Sequence, residues 1–354
     1  MSVFTVTPAE AVERLAAFSA VIDARSEAEH ALDHLPGAVN WPSLNNAERI
    51  EVGTMYKQVS PFEARKRGAA LVARNIAAHI EREVQDKPKN WQPLVYCWRG
   101  GQRSHSLALV LGQIGFRVAL LEGGYKAFRG LVIAQTPELA ARLSWRVVCG
   151  PTGSGKTRLL AALAEAGAQA LDLEALACHR SSVLGRMPGQ PQPSQKHFET
   201  RLWQALRQFD PARPVYVEAE SRKVGNLAVP GALIEAMRAA PCLSMELPDD
   251  NRVALLLEDY AHFTDDPTLF QRRLEVLRPR CGREVVSRWQ ALVQAGAFAQ
   301  VVRELLTEHY DPGYAASTRS HFVQFAGARS WLATDHSPGA MRSLAQQILA
   351  GESP

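Results

Sequence analysis

The sequence has no long hydrophobic run, and its cysteines are few and scattered. No apolar run reaches the roughly 18 residues that suggest a membrane span, and the start, MSVFTVTPAEAVERL, lacks the basic and apolar regions of a signal peptide. The 5 cysteines among 354 residues form no C-x-x-C pair, which argues against a disulfide framework and a zinc site. We therefore expect a cytoplasmic protein with free thiols and no membrane partner.

Neither sign of charge predominates in the chain. Hydrophobic residues make up 46% of the chain and charged residues 21%, with a formal net charge of +4. This composition is typical of a soluble globular protein, and the mild basic excess permits an anionic partner without requiring one. The length is sufficient for two domains, each with its own core.

Strand-like and helix-like segments alternate in the first part of the chain. AFSAVIDAR, LVYC and RVALLEGG predict strands, and SHSLALVLGQIGF predicts a helix that ends at Gly115. This order predicts a parallel sheet, whose ligands collect at the carboxyl ends of the strands. The pattern loosens at 131–143, where TPE suits the start of a short connecting helix. We therefore predict domains at 1–130 and 144–354, joined by a linker at 131–143.

The second part of the chain also predicts an α/β domain. WRVVC, AQALDL, PVYVEA and PCLSMEL have the pattern of strands, and TRLLAALAEAG has that of an amphipathic helix. From about Asn251 onward we predict a mostly helical, arginine-rich region. The expected fold is thus an N-terminal parallel-sheet domain followed by a C-terminal P-loop α/β domain.

The stretch VYCWRGGQRS places Cys97 between a predicted strand and a predicted helix. Cys97, Arg103 and the next serine spell C-x5-R-S, and the loop amides can form an anion nest at the helix N-terminus. The helix dipole, Arg99 and Arg103 favour the thiolate of Cys97. A lone cysteine is more often structural, but two glycines and two arginines in this loop favour a nucleophile. His105 is a candidate proton donor, with a solvated role as the alternative.

A second motif, GPTGSGKT, fits the pattern G-x4-G-K-[ST] between a predicted strand and a predicted helix. Its amides and its lysine are suited to a diphosphate, and its threonine hydroxyl to Mg²⁺. The predicted diphosphate-binding residues are Gly150, Gly153, Gly155, Lys156 and Thr157. The motif alone leaves kinase, nucleoside triphosphatase and prenyl transferase open.

Four carboxylates lie at or near the ends of predicted strands: Asp172, Glu174, Glu218 and Glu220. Such positions favour acid–base chemistry or metal binding, although a structural ion pair would explain any one of them equally well.

Longer segments carry a resemblance to known families. VIDARSEAEHALDHLPGAVN and the Cys97 loop resemble the rhodanese family over roughly residues 4–130. The loop is one residue longer than is usual in sulfur-transferring members and is similar to that of dual-specificity phosphatases on the same fold, so it can hold a tetrahedral oxyanion. With ERIEVGTMYKQ, LDLEALACHRSSVLG, PSQKHFE and VEAESRKVGN, nearly the whole chain resembles the tRNA 2-selenouridine synthase family.

This resemblance implies a transferase that acts on 2-thiouridine at the wobble position of tRNAs for Lys, Glu and Gln. In the family, geranyl diphosphate alkylates the sulfur, and selenium from selenophosphate then displaces the S-geranyl group. We assign the P-loop to the first step and the loop of Cys97, Arg99 and Arg103 to the second. Cys97 is expected to carry selenium covalently, or else to position the donor.

The co-substrates implied are selenophosphate and geranyl diphosphate, with no tightly bound cofactor. Mg²⁺ and a selenophosphate-supplying enzyme are further candidates.

The stretch QRRLEVLRPRCGREVVSR is the candidate tRNA surface, although such a run can also be a solvated helix face. Its predicted tRNA-binding residues are Arg272, Arg273, Arg278, Arg280 and Arg283. Tyr310 and Tyr314 are candidates for stacking on an unpaired anticodon base, with a core role as the alternative. Near PSQKHFE, candidates for a geranyl pocket are Phe198, Leu202 and Trp203.

Two other functions fit the motifs singly. The first is a C-x5-R phosphatase fused to a P-loop kinase or nucleoside triphosphatase. The second is a regulator without enzymatic activity, which makes little use of a cysteine flanked by arginines and an intact P-loop lysine.

Overall fold

The computed structural model describes residues 2–180, 182, 184–185 and 189–351. Its contacts divide the chain into two compact units. Unit 1 comprises Met1–Thr136 and Pro193–Gln204, and unit 2 comprises Pro137–Gln192 and Ala205–Pro354. Among the described residues, no helix combines the length and hydrophobicity of a membrane span.

The strands are β1 Val3–Val6, β2 Ala20–Asp23, β3 Ala38–Asn40, β4 Pro93–Tyr96, β5 Val118–Leu121, β6 Trp145–Cys149, β7 Gln169–Leu171, β8 Val215–Glu218, β9 Lys223–Val224, β10 Leu227–Ala228, β11 Cys242–Glu246 and β12 Arg329–Leu332. The α-helices are α1 Pro8–Glu13, α2 Glu27–Leu32, α3 Asn46–Gln58, α4 Pro61–Glu83, α5 Gln102–Ile114, α6 Gly124–Arg142, α7 Lys156–Glu165, α8 Leu173–Ala177, α9 Gln195–Leu206, α10 Gly231–Ala239, α11 Asp249–Asp259, α12 Ala261–Asp265, α13 Pro267–Leu274, α14 Arg278–Cys281, α15 Arg283–Gln294, α16 Phe298–Leu305, α17 Asp311–His321 and α18 Pro338–Gly351. A π-helical turn, Leu306–Tyr310, precedes α17.

Unit 1 is built on a parallel sheet with the strand order β1-β5-β4-β2-β3. The four residues of β4 are all buried, as expected for a strand with neighbours on both edges. Helix α5 packs Leu107 and Leu111 into the same core as Ile22 and Val95. Because β4 is central, the residues that follow it emerge where a parallel sheet gathers its ligands.

Unit 2 has a second parallel sheet, with the order β12-β11-β6-β8-β7. Its central strand, β6, leads into the GPTGSGKT loop, and α7 packs Leu159 and Leu163 against Val148. The predicted parallel sheet of the first domain and the predicted α/β class of both domains are therefore confirmed. Strands β1, β3 and β12 were not predicted, because each is an edge strand of three or four residues.

The region after Asn251 is mostly helical, as predicted, apart from β12. Its own core contains Phe263, Phe270, Trp289 and Val301. Helix α15 contributes Trp289 to this core and exposes its arginine-rich face, which is the amphipathic arrangement expected of a surface helix.

Residues 131–143 do not form a loose linker, which corrects that part of the sequence interpretation. Helix α6 runs without interruption through almost all of them and contains Pro137. A proline inside a helix removes one backbone hydrogen bond, but Val132, Thr136 and Ala140 continue a buried stripe at four-residue spacing. Burial along this stripe outweighs the local breaker. The proposed domain boundaries themselves stay a prediction.

The segment Pro193–Gln204 belongs to unit 1, although it follows the P-loop in sequence. Thr200 Oγ1 donates a hydrogen bond of 3.0 Å to the buried Asp33 carboxylate, which also accepts one of 2.8 Å from Tyr125 Oη. Trp203 packs edge-to-face on Phe128, with 5.6 Å between ring centroids.

Within this segment, Phe198, Leu202 and Trp203 have no exposed surface. These three side chains therefore form core, which corrects the expectation that they line a ligand pocket.

The hydroxyl of Thr200 should stabilise unit 1 measurably. Replacing Thr200 with valine leaves Asp33 with one donor fewer in a buried site, so the free energy of unfolding should fall by about 1–3 kcal/mol. Urea denaturation followed by tryptophan fluorescence measures this, because Trp203 lies one helical turn away. The exposed Thr334→Val is the control, and equal stability of the two variants would contradict the prediction.

Candidate active sites

Cys97 begins the loop that joins β4 to α5, and its side chain is only 3% exposed. Its Sγ accepts hydrogen bonds from the Gly101 N–H at 3.2 Å and from the Ser104 hydroxyl at 3.1 Å. These two hydrogen bonds fix the position of the sulfur at the start of the loop. The loop thus has the arrangement of a nucleophile or anion site.

The first turn of α6 supports the cysteine loop through hydrogen bonds to its backbone. The N–H groups of Tyr125 and Lys126 donate to the carbonyl oxygens of Cys97 and Trp98, at 2.8 and 2.9 Å. Gly124 has a φ of +59°, and a Cβ there would collide with the Cys97 carbonyl oxygen. Only glycine fits this position, so the GG of LEGGYKAFR keeps the loop in shape.

The two predicted loop arginines differ in their surroundings. Arg103 pairs with Glu29 at 2.7 Å, and Arg49 lies 3.2 Å from the same carboxylate. Burial opposes ionisation of Glu29, but the hydrogen bond from Arg103 and the charges of both arginines hold its pKa below the usual value. Arg99 is exposed and makes no ion pair within the described residues. Arg99 is therefore free to meet an anion, whereas Arg103 is already paired.

The P-loop lies between β6 and α7, as predicted. Gly153 and Gly155 have φ angles of +75° and +89°, which permit the tight turn. Lys156 Nζ donates to the carbonyl oxygens of Gly150 and Pro151, at 2.7 and 3.2 Å. The lysine is thus folded onto its own loop, within reach of a ligand that the loop would bind.

The loop is contacted by two side chains whose part in it was not predicted, Tyr314 on α17 and Arg252 on α11. The Gly150 N–H donates to Tyr314 Oη, and Lys156 Nζ lies 5.6 Å from the centre of the Tyr314 ring. Arg252 donates to the Thr152 carbonyl oxygen at 2.8 and 3.1 Å and forms a two-pronged pair with Asp311. Tyr314 is therefore a P-loop residue, and Arg252 joins the loop to the start of α17.

Three of the four predicted carboxylates come together. One oxygen from each of Glu174, Glu218 and Glu220 lies within 4.8 Å of the others, and Thr157 Oγ1 is 3.4 and 3.2 Å from Glu174 and Glu218. The fourth, Asp172, instead accepts the Ala175 N–H at 2.7 Å and caps α8. Sequence position alone did not separate the cap from the cluster.

Glu218 is 1% exposed, and its Oε1 has no hydrogen-bond partner. Burial, together with the charges of Glu174 and Glu220, raises its pKa well above the usual value. An orphaned carboxylate oxygen beside two further carboxylates and a P-loop hydroxyl is a donor set that suits Mg²⁺. The cluster therefore fits a divalent cation.

The P-loop forms part of a cleft with a volume of about 1040 Å³. A smaller, apolar pocket adjoins it and shares Thr152, Ser182, Leu256, Tyr260 and Tyr310 with the cleft. Leu256 packs over Gly153, since a Cβ on that glycine would lie 2.8 Å from it. The rest of the pocket is lined mainly by side chains of the helical region, among them Phe263, Phe270, Val302 and Leu305.

The remaining predicted residues are dispersed. Of the five arginines in the candidate tRNA surface, Arg280 lines the cleft, whereas Arg272, Arg273, Arg278 and Arg283 do not. Arg278 pairs with Glu275 at 2.9 Å. His105 is exposed, and its Nδ1 lies 3.2 Å from the Gly101 carbonyl oxygen.

A cysteine loop on one parallel sheet and a P-loop with a carboxylate cluster on another define a two-unit α/β protein of the rhodanese-plus-P-loop class. The family model described as "Rhodanese-like domain" matches residues 7–131. The model described as "tRNA 2-selenouridine synthase AAA domain" matches residues 143–334, more than half of the chain. The chain belongs to the tRNA 2-selenouridine synthase family.

Similar proteins agree with this assignment. A tRNA 2-selenouridine synthase of Alcanivorax borkumensis is 33% identical over 88% of this chain and 93% of its own. One from Cupriavidus necator is 34% identical over 88% of this chain and 92% of its own. Among solved structures, a rhodanese-related protein from Thermoplasma volcanium covers 36% of this chain and 91% of its own, with 16% identity and a TM-score of 0.24.

The carboxylate cluster predicts a stability that depends on both pH and Mg²⁺. Because the pKa of Glu218 is raised on folding, the folded chain retains a proton that the unfolded chain loses above about pH 4.5. Stability should therefore fall as the pH rises from there. Mg²⁺ should raise the melting temperature by about 2–4 °C for each kcal/mol of binding. This gain should increase with pH, because the cation replaces the proton.

Thermal unfolding with and without MgCl₂ at mildly acidic and mildly alkaline pH measures the effect. Glu218→Gln should flatten the pH dependence and reduce the gain from Mg²⁺, whereas the exposed Glu235→Gln serves as the control. An equal gain at every pH in all three proteins would refute a cation at this cluster.

Proposed function

We propose that this protein converts 2-thiouridine at the wobble position of tRNA into 2-selenouridine. The tRNAs are those for Lys, Glu and Gln, and the intermediate is S-geranyl-2-thiouridine. The co-substrates are geranyl diphosphate and selenophosphate. Family membership supports the overall conversion, since the relatives are described as tRNA 2-selenouridine synthases.

The observation that carries the geranyl step is the apolar pocket beside the P-loop cleft. A prenyl diphosphate has a charged head and a hydrocarbon tail, and here the cleft that contains the P-loop shares Thr152 and Leu256 with the apolar pocket. A nucleotide would instead place a polar base beside its phosphates. Beyond the hydroxyls of Thr152, Ser182, Thr264 and two tyrosines, the pocket lining is hydrocarbon or aromatic, which suits the prenyl donor better.

In the first step, the sulfur of 2-thiouridine attacks the first carbon of the geranyl group. The carbon–oxygen bond to the diphosphate breaks, its electron pair leaves on the diphosphate oxygen, and N3 of the base loses its proton, so that the S-alkylated nucleoside is neutral. The P-loop amides and Lys156 Nζ stabilise that charge, which requires Lys156 to exchange the Gly150 carbonyl for the ligand. When bound at the glutamate cluster, Mg²⁺ supplies further charge neutralisation to the diphosphate.

In the second step, selenium replaces the alkylated sulfur. The selenium of selenophosphate adds to C2 of the base, geranyl thiol leaves, and water cleaves the phosphorus–selenium bond to release phosphate. Selenium and sulfur keep their oxidation states, so no oxidant is needed. A Cys97–selenium bond formed directly from selenophosphate would instead require phosphorus to leave in a reduced state.

The electron count therefore favours Cys97 as part of a loop that positions selenophosphate, rather than as a covalent carrier. The wide loop offers amide donors and the unpaired Arg99 to the phosphate oxygens of the donor.

The two loops should separate the steps. Lys156→Ala should lower formation of the geranylated nucleoside roughly 100- to 1000-fold, the loss expected when a donor to a developing anion is removed. Cys97→Ala should leave geranylation intact and accumulate its product. Mass spectrometry of the wobble nucleoside measures both after incubation of thiolated tRNA with geranyl diphosphate and then selenophosphate.

The exposed Lys66→Ala is the control for this experiment. If the native protein modifies no nucleoside but hydrolyses ATP or a phosphoester, the alternative of a phosphatase fused to a kinase takes its place.

The apolar pocket predicts a specific effect on the prenyl donor. Val302 is half-buried in its lining, so Val302→Trp should fill the pocket and raise the KM for geranyl diphosphate about tenfold, a cost near 1.4 kcal/mol. Inhibition by inorganic diphosphate should not change, because the P-loop is untouched. The exposed Val276→Trp is the matched control, and an unaltered KM in Val302→Trp would place the geranyl chain elsewhere.

A further inference from the structure

The P-loop cleft is larger and more basic than a diphosphate requires. Its volume of about 1040 Å³ lies at the upper limit of the 300–1000 Å³ that is usual for small-molecule sites. Seven lysine and arginine side chains line it, against four carboxylates. The excess of positive charge indicates a second anionic group in the cleft.

Three of these seven cations are already engaged. Lys156 binds the carbonyl oxygens of its own loop. Arg158 pairs with Glu258 and Asp259, and Arg180 pairs with the same aspartate. Of the four carboxylates, Glu174 and Glu218 lie at the Thr157 hydroxyl, at 3.4 and 3.2 Å.

The other four are Arg222, Lys223, Arg238 and Arg280, and none of them makes an ion pair within the described residues. Arg222 and Lys223 lie at the start of the β9–β10 hairpin and are exposed. Arg238 lies in the last turn of α10, and its Nε is buried without a hydrogen-bond partner. Arg238 also lines the cleft, and no carboxylate of the described residues pairs with it there.

Helix α17 adds polar side chains to the lining of the same cleft. Tyr314, Ser317 and His321 recur at three- and four-residue spacing and line the cleft together. Tyr314 contacts the P-loop, and the backbone at Arg238 accepts a hydrogen bond from Val323, just beyond α17. Hydroxyl and imidazole groups therefore accompany the unpaired cations.

We propose that Arg238, with Arg222 and Lys223, forms a phosphodiester subsite for the RNA backbone next to the nucleotide being modified. This subsite rests on the proposed function, which brings an RNA loop to the P-loop cleft. It differs from the arginine-rich stretch that the sequence suggested, of whose five candidates only Arg280 lines the cleft. The ligand is a backbone phosphate, and the P-loop remains the site of the diphosphate.

The test measures binding of a short RNA hairpin, with 2-thiouridine in its loop, to the full-length chain by fluorescence anisotropy at several salt concentrations. Arg238→Ala should weaken binding roughly 5- to 10-fold and lower the slope of log affinity against log salt by about 0.7, the value for one single-strand phosphate contact. Arg238→Lys should restore part of both. Arg222→Ala, an exposed change with little effect on folding, should act in the same direction.

The exposed Arg342→Ala, on α18 and outside the cleft, is the matched control and should bind RNA as the native chain does. Binding of inorganic diphosphate is measured in parallel and should be unchanged in Arg238→Ala.

If Arg238→Ala and Arg222→Ala bind RNA normally while the native chain also binds it, the subsite is overturned and the proposed function stands. If Arg238→Ala instead weakens diphosphate binding alone, Arg238 belongs to the diphosphate site and the subsite is again overturned. If the native chain binds no RNA, the proposed function fails together with the subsite.

Discussion

The Cys97 loop and the P-loop depend on the same constraint. All strands of a parallel sheet run in one direction, so the loops that follow them leave from the same end of the sheet. β4 and β6 are such strands, so Cys97 and the P-loop each emerge at the carboxyl end of a buried central strand. A helix follows each loop directly and adds the positive end of its dipole. Two different anion sites thus arise from the same backbone arrangement, and the side chains decide what each one holds.

Electrostatics divide the P-loop cleft into regions of opposite charge. Burial and the neighbouring carboxylates raise the pKa of Glu218 in the glutamate cluster, whereas Arg222, Lys223, Arg238 and Arg280 make no ion pair within the described residues. Arg252 joins the P-loop to α17, because it donates hydrogen bonds both to the Thr152 carbonyl oxygen and to the Asp311 carboxylate. A substitution of Arg252 would therefore alter both the P-loop and the position of α17, whose polar side chains line the cleft.

The parts of these sites that could be predicted from the sequence are those encoded locally. Cys97 and Lys156 lie in short motifs between a strand and a helix, so spacing alone places them. Arg252 and Tyr314 lie 100 and 164 residues from the P-loop residues that they contact, and Arg238 lines the same cleft from outside both motifs; no local pattern marks these contacts. The prediction of a linker at 131–143 was wrong for a related reason. Helix α6 continues through Pro137 because tertiary packing buries one face of the helix.

The chemistry of leaving groups explains why one chain would carry both loops. A thiocarbonyl sulfur on a nucleobase cannot depart readily, but an alkylated sulfur leaves as a thiol, so under the proposed reaction alkylation must precede selenium addition. The step that most needs charge stabilisation is then departure of the diphosphate, for which the P-loop region offers backbone amides, a lysine and a candidate cation site. In the proposed reaction the cysteine loop has a different task, because selenophosphate would need orientation more than charge stabilisation, and the exposed Arg99 beside the loop amides suits that task.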